Sequence, residues 1–269
     1  MPSPMVRQAA VAGSFYPRDA DVLRATVDAL LANAVSSSAP MPKALVVPHA
    51  GYQYSGPVAA SAYARAAHGR GLVQRVIVIG PSHRVPLHGI ALAGVQGFAT
   101  PLGVVRVAAD WAMDQLSTLP AVCVAPEAHR WEHSVEVQLP FIQRALGDVA
   151  VVPLVAGEAT GDQVADVLEA LWGGPETLLV VSTDLSHYLP DYEARSIDAA
   201  TVARIAALDG PIGHEFACGA TPLNGLLVAA RRRVLRPTLL DLRNSSDTAG
   251  APDRVVGYCA FAFEEMDHA

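Results

Sequence analysis

The stretch RVIVIGPSH (residues 75–83) decides the fold. After Arg75, residues 76–79 are all apolar and β-branched, without polar alternation, as in a strand covered on both faces. The run stops at Gly80 and Pro81, and a histidine, His83, follows at once. The pattern recurs in ALVVPHAG (residues 44–51), which delivers His49, and in TLLVVSTDLSH (residues 177–187), which delivers Asp184 and His187. DVAVVPLV (residues 148–155) is a further apolar run, and RVVGYCAFAF (residues 254–263) reads as a late strand. Between these runs, GDQVADVLEALW (residues 161–172) has helical spacing, and a long helix is expected from about Tyr192 to Leu208. Another helix is expected from about Pro57, with Ser55 and Gly56 as its cap and proline as its first residue. Strand and helix in alternation predict an α/β fold: a mostly parallel sheet with helices on both faces. The loop SSSAP (residues 36–40) is too short to separate domains and there is no internal repeat, so residues 1–269 read as a single domain.

Composition narrows the function. The chain carries 19 Lys and Arg against 26 Asp and Glu, a formal net charge of −7, which argues against a general nucleic-acid binder. Its only basic run, Arg231 to Arg233, ends an apolar helical pattern and suits a helix C-terminus. No apolar run reaches the roughly 18 residues that a bilayer requires, and the first 17 residues lack the pattern of a secretory signal. Three scattered cysteines suit free thiols in a reducing compartment, so a soluble cytoplasmic protein is expected. Cys123 and Cys259, inside strand-like runs, read as core.

Ligands of open parallel sheets bind at the carboxyl ends of the strands. A lone histidine after a strand is ordinarily a loop hydrogen-bonder, and Asp184 alone suits a helix cap equally well. Three strand ends that each deliver such a group favour a shared metal or catalytic site. In EHSVEVQLPF (residues 132–141), His133 and Glu136 are three apart and share a helix face if a helix opens near Ser134. They suit an acid/base pair or a carboxylate that fixes an imidazole, although glutamate also favours a first helical turn for its own sake. In FACGATPLNG (residues 216–225), Cys218 precedes an apolar helical stretch. A thiolate there suits a helix N-terminus or a metal, but from spacing alone an inert buried cysteine is the stronger reading. His68, His88 and His129 match no strand-end pattern and read as surface loop residues, and His268 lies in the terminal tail.

Taken in order, AGSFYP, PHAGYQYSG, IGPSHRVP, EHSVEVQLP, STDLSHY and CGATP resemble the Memo family, whose bacterial and archaeal members are called AmmeMemoRadiSam system protein B. The resemblance runs from about Val6 to Phe263. It implies a fold similar to class III extradiol ring-cleaving dioxygenases, which hold non-haem Fe(II) with two histidines and a carboxylate. It places the metal ligands on His49, His83 and Cys218, with Asp184 and His187 nearby. A thiolate in place of the carboxylate makes a softer set that tolerates copper or zinc besides iron. Two functions follow as expectations. One is an iron-dependent redox enzyme in which His187 or His133, beside Asp184, moves protons, while Tyr52, Tyr54 and Glu136 contact an unknown small-molecule substrate. The other is a non-enzymatic protein that sequesters metal or binds a partner, acting with the radical-SAM and AMMECR-type proteins that the family name implies.

Overall fold

The computed structural model describes residues 5–35 and 39–266. Residues 36–38 of the expected loop, and His268, lie outside the described residues.

A nine-stranded sheet runs in the order His187–Leu189, Val255–Glu265, Ala44–Val47, Thr177–Ser182, Arg75–Pro81, Ala150–Ala156, Ile90–Leu92, Val122–Val124, and Leu235–Asn244 branches from Val255–Glu265. The four strands from Ala44–Val47 to Ala150–Ala156 are parallel to one another. On either side the direction reverses: Val255–Glu265 and Ile90–Leu92 join that block antiparallel. The sheet is therefore mixed, parallel at its centre. Continuous apolar runs report burial on both faces, not direction, and Val255–Glu265 is nearly as buried as the strands of the parallel block.

Side chains alternate between two cores. Leu45, Val47, Val76, Val78, Leu178 and Val180 belong to one, and Val46, Ile77, Ile79, Leu179 and Val181 to the other. The helices Ala20–Asn33, Tyr52–Ala66 and Leu139–Leu146 contribute to the first core. Gly161–Ala170, Asp191–Ala206 and Ala220–Arg232 contribute to the second. Gly161–Ala170 begins where its sequence predicts, because Thr160 and Gln163 form a reciprocal capping box.

The helix expected from Pro57 instead starts at Tyr52, capped by Gly51, with Pro57 inside it. The Tyr52 amide donates to Phe15 O at 2.8 Å, and the amides of Tyr54 and Ser55 donate to Gly51 O. Pro57 removes a bond that Gln53 O would accept, and Gln53 is exposed, so water can take its place.

Candidate metal centre

Sheet register brings the expected strand ends together. Val47 pairs with Ser182, and Val181 pairs with Ile79, so three neighbouring strands finish along one edge. His49, Asp184 and His83 each lie two residues past the end of their strand. A fourth segment, between the helix Pro126–Arg130 and the 3-10 turn Glu136–Gln138, supplies His133. The ring centroids of His49 and His83 are 5.2 Å apart, those of His49 and His133 5.3 Å, and those of His83 and His133 4.7 Å. One ligand atom from each of these histidines lies within 4.8 Å of the others.

Hydrogen bonding decides which nitrogens are free. The Ser182 hydroxyl donates its single proton to Ser134 O at 2.6 Å. Its oxygen therefore accepts from Gln138 Nε2 and from His49 Nδ1, each at 2.9 Å. The Gln138 amide is fixed in turn, since Nε2 donates to Pro48 O and Oε1 accepts from Tyr63 OH. His49 thus carries its proton on Nδ1 and keeps a lone pair on Nε2. Burial, reinforced by the imidazoles of His133 and His83, holds its pKa well below the usual value, so the ring is neutral.

Glu132 does the same for His83. Its Oε1 accepts from His83 Nδ1 at 2.9 Å, and its Oε2 from the His83 amide at 2.6 Å. Oε1 also accepts from the amides of His133 and Ser134. His133 Nδ1 lies 3.2 Å from that oxygen, close but poorly aligned. Burial alone would raise the Glu132 pKa; the bonds from His133 and His83 overcome it and hold the carboxyl far below the usual range.

Asp184 is buried, and its Oδ1 accepts from the His49 amide at 2.7 Å. Burial nonetheless pushes its carboxyl up. Cys218 precedes the helix Ala220–Arg232; its Sγ lies 3.2 Å from His49 Nε2 and accepts from the Asp184 amide at 3.3 Å. Burial, with the Asp184 charge adding, pushes the thiol up to about 12, so sulfur here is neutral.

These groups open into a cleft of about 920 Å³, lined also by Phe15, Tyr54, His187, Tyr188, His214 and Arg254. His187 Nδ1 lies 2.8 Å from Leu185 O, which can only accept, so Nε2 is the free nitrogen.

Several expected residues lie elsewhere. Tyr52 does not face the cleft: it is buried against Phe141, and its hydroxyl donates to Val137 O at 2.6 Å. Glu136 does not contact a substrate site either, nor does it share a face with His133. Fully buried, it pairs with Arg7 and accepts from the amides of Ala10 and Val11 and from Tyr16 OH. A buried carboxylate needs such partners, and Arg7 uses its other nitrogens to hold His129 O and Glu132 O. His129 is buried, against its surface reading, with Nε2 against Ala91 O at 2.9 Å. Cys123 is exposed, on the outermost strand of the sheet, while Cys259 is buried as expected; all three cysteines are free.

Sequence reasoning missed Glu132, Ser182 and His214. The first two adjoin or occupy the quoted motifs, but a role defined by its partner is visible only once the partner is in place. His214 follows the GPIG segment and lines the cleft with Nε2 3.2 Å from Thr221 Oγ1; it carries no strand-end signal.

Residues 7–262 match the family model described as "Memo-like protein". The chain is 36% identical to a "MEMO1 family protein" of Pyrobaculum arsenaticum, covering 96% of this chain and 99% of that one. It is 31% identical to one from Metallosphaera sedula, with 97% and 100% covered, and 32% identical to one from Aquifex aeolicus, with 96% and 99% covered. Among the described residues, no helix is long and apolar enough to cross a membrane. With matches that span nearly the whole length of each protein, the chain belongs to the Memo family.

Proposed function

We propose that the protein is a metal-dependent redox enzyme of the cytoplasm, using non-haem iron on a small molecule bound in the cleft, in the manner of ring-cleaving dioxygenases. The observation that carries this is the trio His49, His83 and His133, with ligand atoms within 4.8 Å of one another and with Nδ1 of His49 and of His83 each hydrogen-bonded to an oxygen. Orientation of imidazole by an outer acceptor is how proteins present the opposite nitrogen to a metal. The donor set fits: sulfur and nitrogen bound to one ion at about 2.3 and 2.1 Å are roughly 3.5 Å apart, and Cys218 Sγ is 3.2 Å from His49 Nε2. Such an ion supplies Lewis acidity and, as iron, electron transfer.

The chain's own residues do the rest. His187 offers its free Nε2 as the acceptor for a proton from a substrate hydroxyl. Asp184 fixes the His49 backbone through its amide. Phe15, whose ring centroid is 4.7 Å from that of His133, and Tyr54 supply apolar wall.

Anaerobic metal analysis tests the reading, with about one ion per chain expected and none in His49→Ala/His83→Ala. Oxygen uptake with catechols and simple phenols tests the reaction. Stoichiometric metal in the double variant overturns the site assignment. A second reading rests on the sulfur beside His49, a soft donor suited to copper or zinc. In it the protein sequesters metal and serves radical-SAM and AMMECR-type partners. Tight metal binding without oxygen uptake across the panel selects it.

A further inference from the structure

We infer that Tyr188 and Arg254 form a carboxylate-recognising subsite beside the metal centre, so that the cleft takes a planar small molecule bearing a carboxylate. This deepens the reading of the cleft as a substrate site and rests on it.

The subsite is built by an irregularity in the sheet. His187 pairs with Val256 and Leu189 with Val255, so two steps on one strand face one step on the other, and Tyr188 is the extra residue. A bulge of this kind re-aims a side chain and recurs beside active sites. Tyr188 has φ 62°, a conformation that bulky residues avoid. Nothing in the core repays that strain, because Tyr188 is 62% exposed and lines the cleft. A strained, exposed aromatic next to His187 points to use by a ligand.

The same register sets Arg254, the residue before Val255, against Tyr188. Its guanidinium lies 4.6 Å from the centre of the Tyr188 ring. Among the described residues Arg254 has no ion pair, whereas Arg195 and Arg232, also on the surface, each engage at least two carboxylates. Stacking on a ring orients the guanidinium while its N–H edge stays available for a planar, two-oxygen acceptor. Arg84, directly after His83, lines the same cleft with no hydrogen bond or ion pair among the described residues. Two guanidiniums without ion pairs, both lining one cleft, make it attractive to an anion. The acidic groups on its wall are Asp184, already committed to the His49 amide, and Glu215, which disfavours a dianion over a monoanion. Phe15, Tyr54 and Tyr188 supply flat walls for a planar ligand.

Calorimetric titration of the full-length protein with 4-hydroxybenzoate and with its neutral isostere 4-hydroxybenzamide tests this without turnover. The acid is expected to bind about 10-fold more tightly than the amide, as a charge-assisted bidentate contact implies. Arg254→Gln should bring the two ligands to within about twofold. The preference should persist in His49→Ala/His83→Ala, which separates this proposal from the metal assignment. Equal binding of acid and amide, no binding of either, or a preference that survives in Arg254→Gln overturns the proposal. So does a preference that disappears in the histidine double variant, since the ion would then be the source of the attraction. Tighter binding of phenyl phosphate than of the acid overturns the choice of a monoanionic carboxylate.

Discussion

Glu132 grips His83 at two points, one carboxylate oxygen 2.9 Å from Nδ1 and the other 2.6 Å from the backbone amide. The ring can neither rotate nor exchange its tautomer without breaking a bond to a charged acceptor. Glu132→Gln keeps the shape and removes the charge, and its amide nitrogen must face at least one N–H donor. Metal affinity should fall about 10- to 100-fold, as for other outer partners of metal-bound histidine, with stoichiometry preserved at saturating metal. Competition against a chelator of known affinity measures this; an unchanged affinity removes Glu132 from the site.

Cys218 and His133 make separable contributions. Both are near His49, but His133 belongs to the three-histidine group, whereas Cys218 is a neutral thiol that a metal would have to deprotonate. Cys218→Ala should retain Fe(II) and lose affinity for copper and zinc selectively, because it removes the soft donor beside His49. His133→Ala should weaken all three metals. Parallel competition titrations with each ion distinguish these patterns, and loss of every metal in Cys218→Ala makes sulfur indispensable.

His49 and His83 were legible as neighbours because topology forces it: parallel strands end at one edge, and each motif sat just beyond an end, whereas His133 comes from a segment between a helix and a 3-10 turn. His49, His83, Asp184 and His187 could be placed that way from the sequence alone. Cys218 could be placed only through resemblance, since a cysteine before a helix has no required destination. Tyr52 and Glu136 misled because a motif lists residues without their directions. In the helix that begins at Tyr52, that side chain turns to the core and Tyr54 to the cleft. Glu136 is three residues from His133, but a 3-10 turn preceded by irregular chain does not keep helical facing. The antiparallel strands were hidden for a different reason, because burial on two faces leaves the same apolar run whichever way a strand points.

Glu136 is a structural residue, and its loss should register in stability ahead of metal binding. Its side chain and that of Arg7 are 0% and 6% exposed, so Glu136→Gln leaves a guanidinium buried without its counter-charge. Breaking one side of a buried pair costs about 3–5 kcal/mol. Urea unfolding should show that loss, while folded protein below its transition still binds metal in the wild-type ratio. A fully stable variant unable to bind ligand in the cleft would return Glu136 to the site.

His129 gives the fold an acid-sensitive point. Burial is the largest influence on it and lowers its pKa from 6.5 to about 4. Between those values the unfolded chain binds the proton and the folded chain does not, so stability rises with pH across that window. The contribution is complete above pH 6.5 and is lost as pH falls toward 4. A shift of this size corresponds to roughly 3 kcal/mol at full effect. His129→Gln, which retains a donor for Ala91 O, should flatten the dependence of unfolding free energy on pH between those limits. An equally steep slope in the variant would assign the acid sensitivity to other groups.

Gly80 explains why the motif reads Ile-Gly-Pro-Ser-His. A Cβ at that position would sit 2.6 Å from Ser134 Oγ and 2.8 Å from Ser134 Cβ, distances at which the neighbour must move. Ser134 is bonded to Pro81 O and adjoins His133, so Gly80→Ala should displace the His133 imidazole relative to that of His83. Overpacking of this kind costs about 1–3 kcal/mol, and metal affinity should fall by about 10-fold or more, since outer-shell disturbance alone has that effect. Gly71→Ala is the matched control: it meets no atom within 4 Å but has φ +85°, so it should lose stability and keep metal affinity. Adding Ser134→Gly to Gly80→Ala removes the colliding atoms and should restore much of the affinity despite the further flexibility. If Gly80→Ala binds metal as tightly as the wild type, the close approach of the two segments does not set the spacing of the histidines.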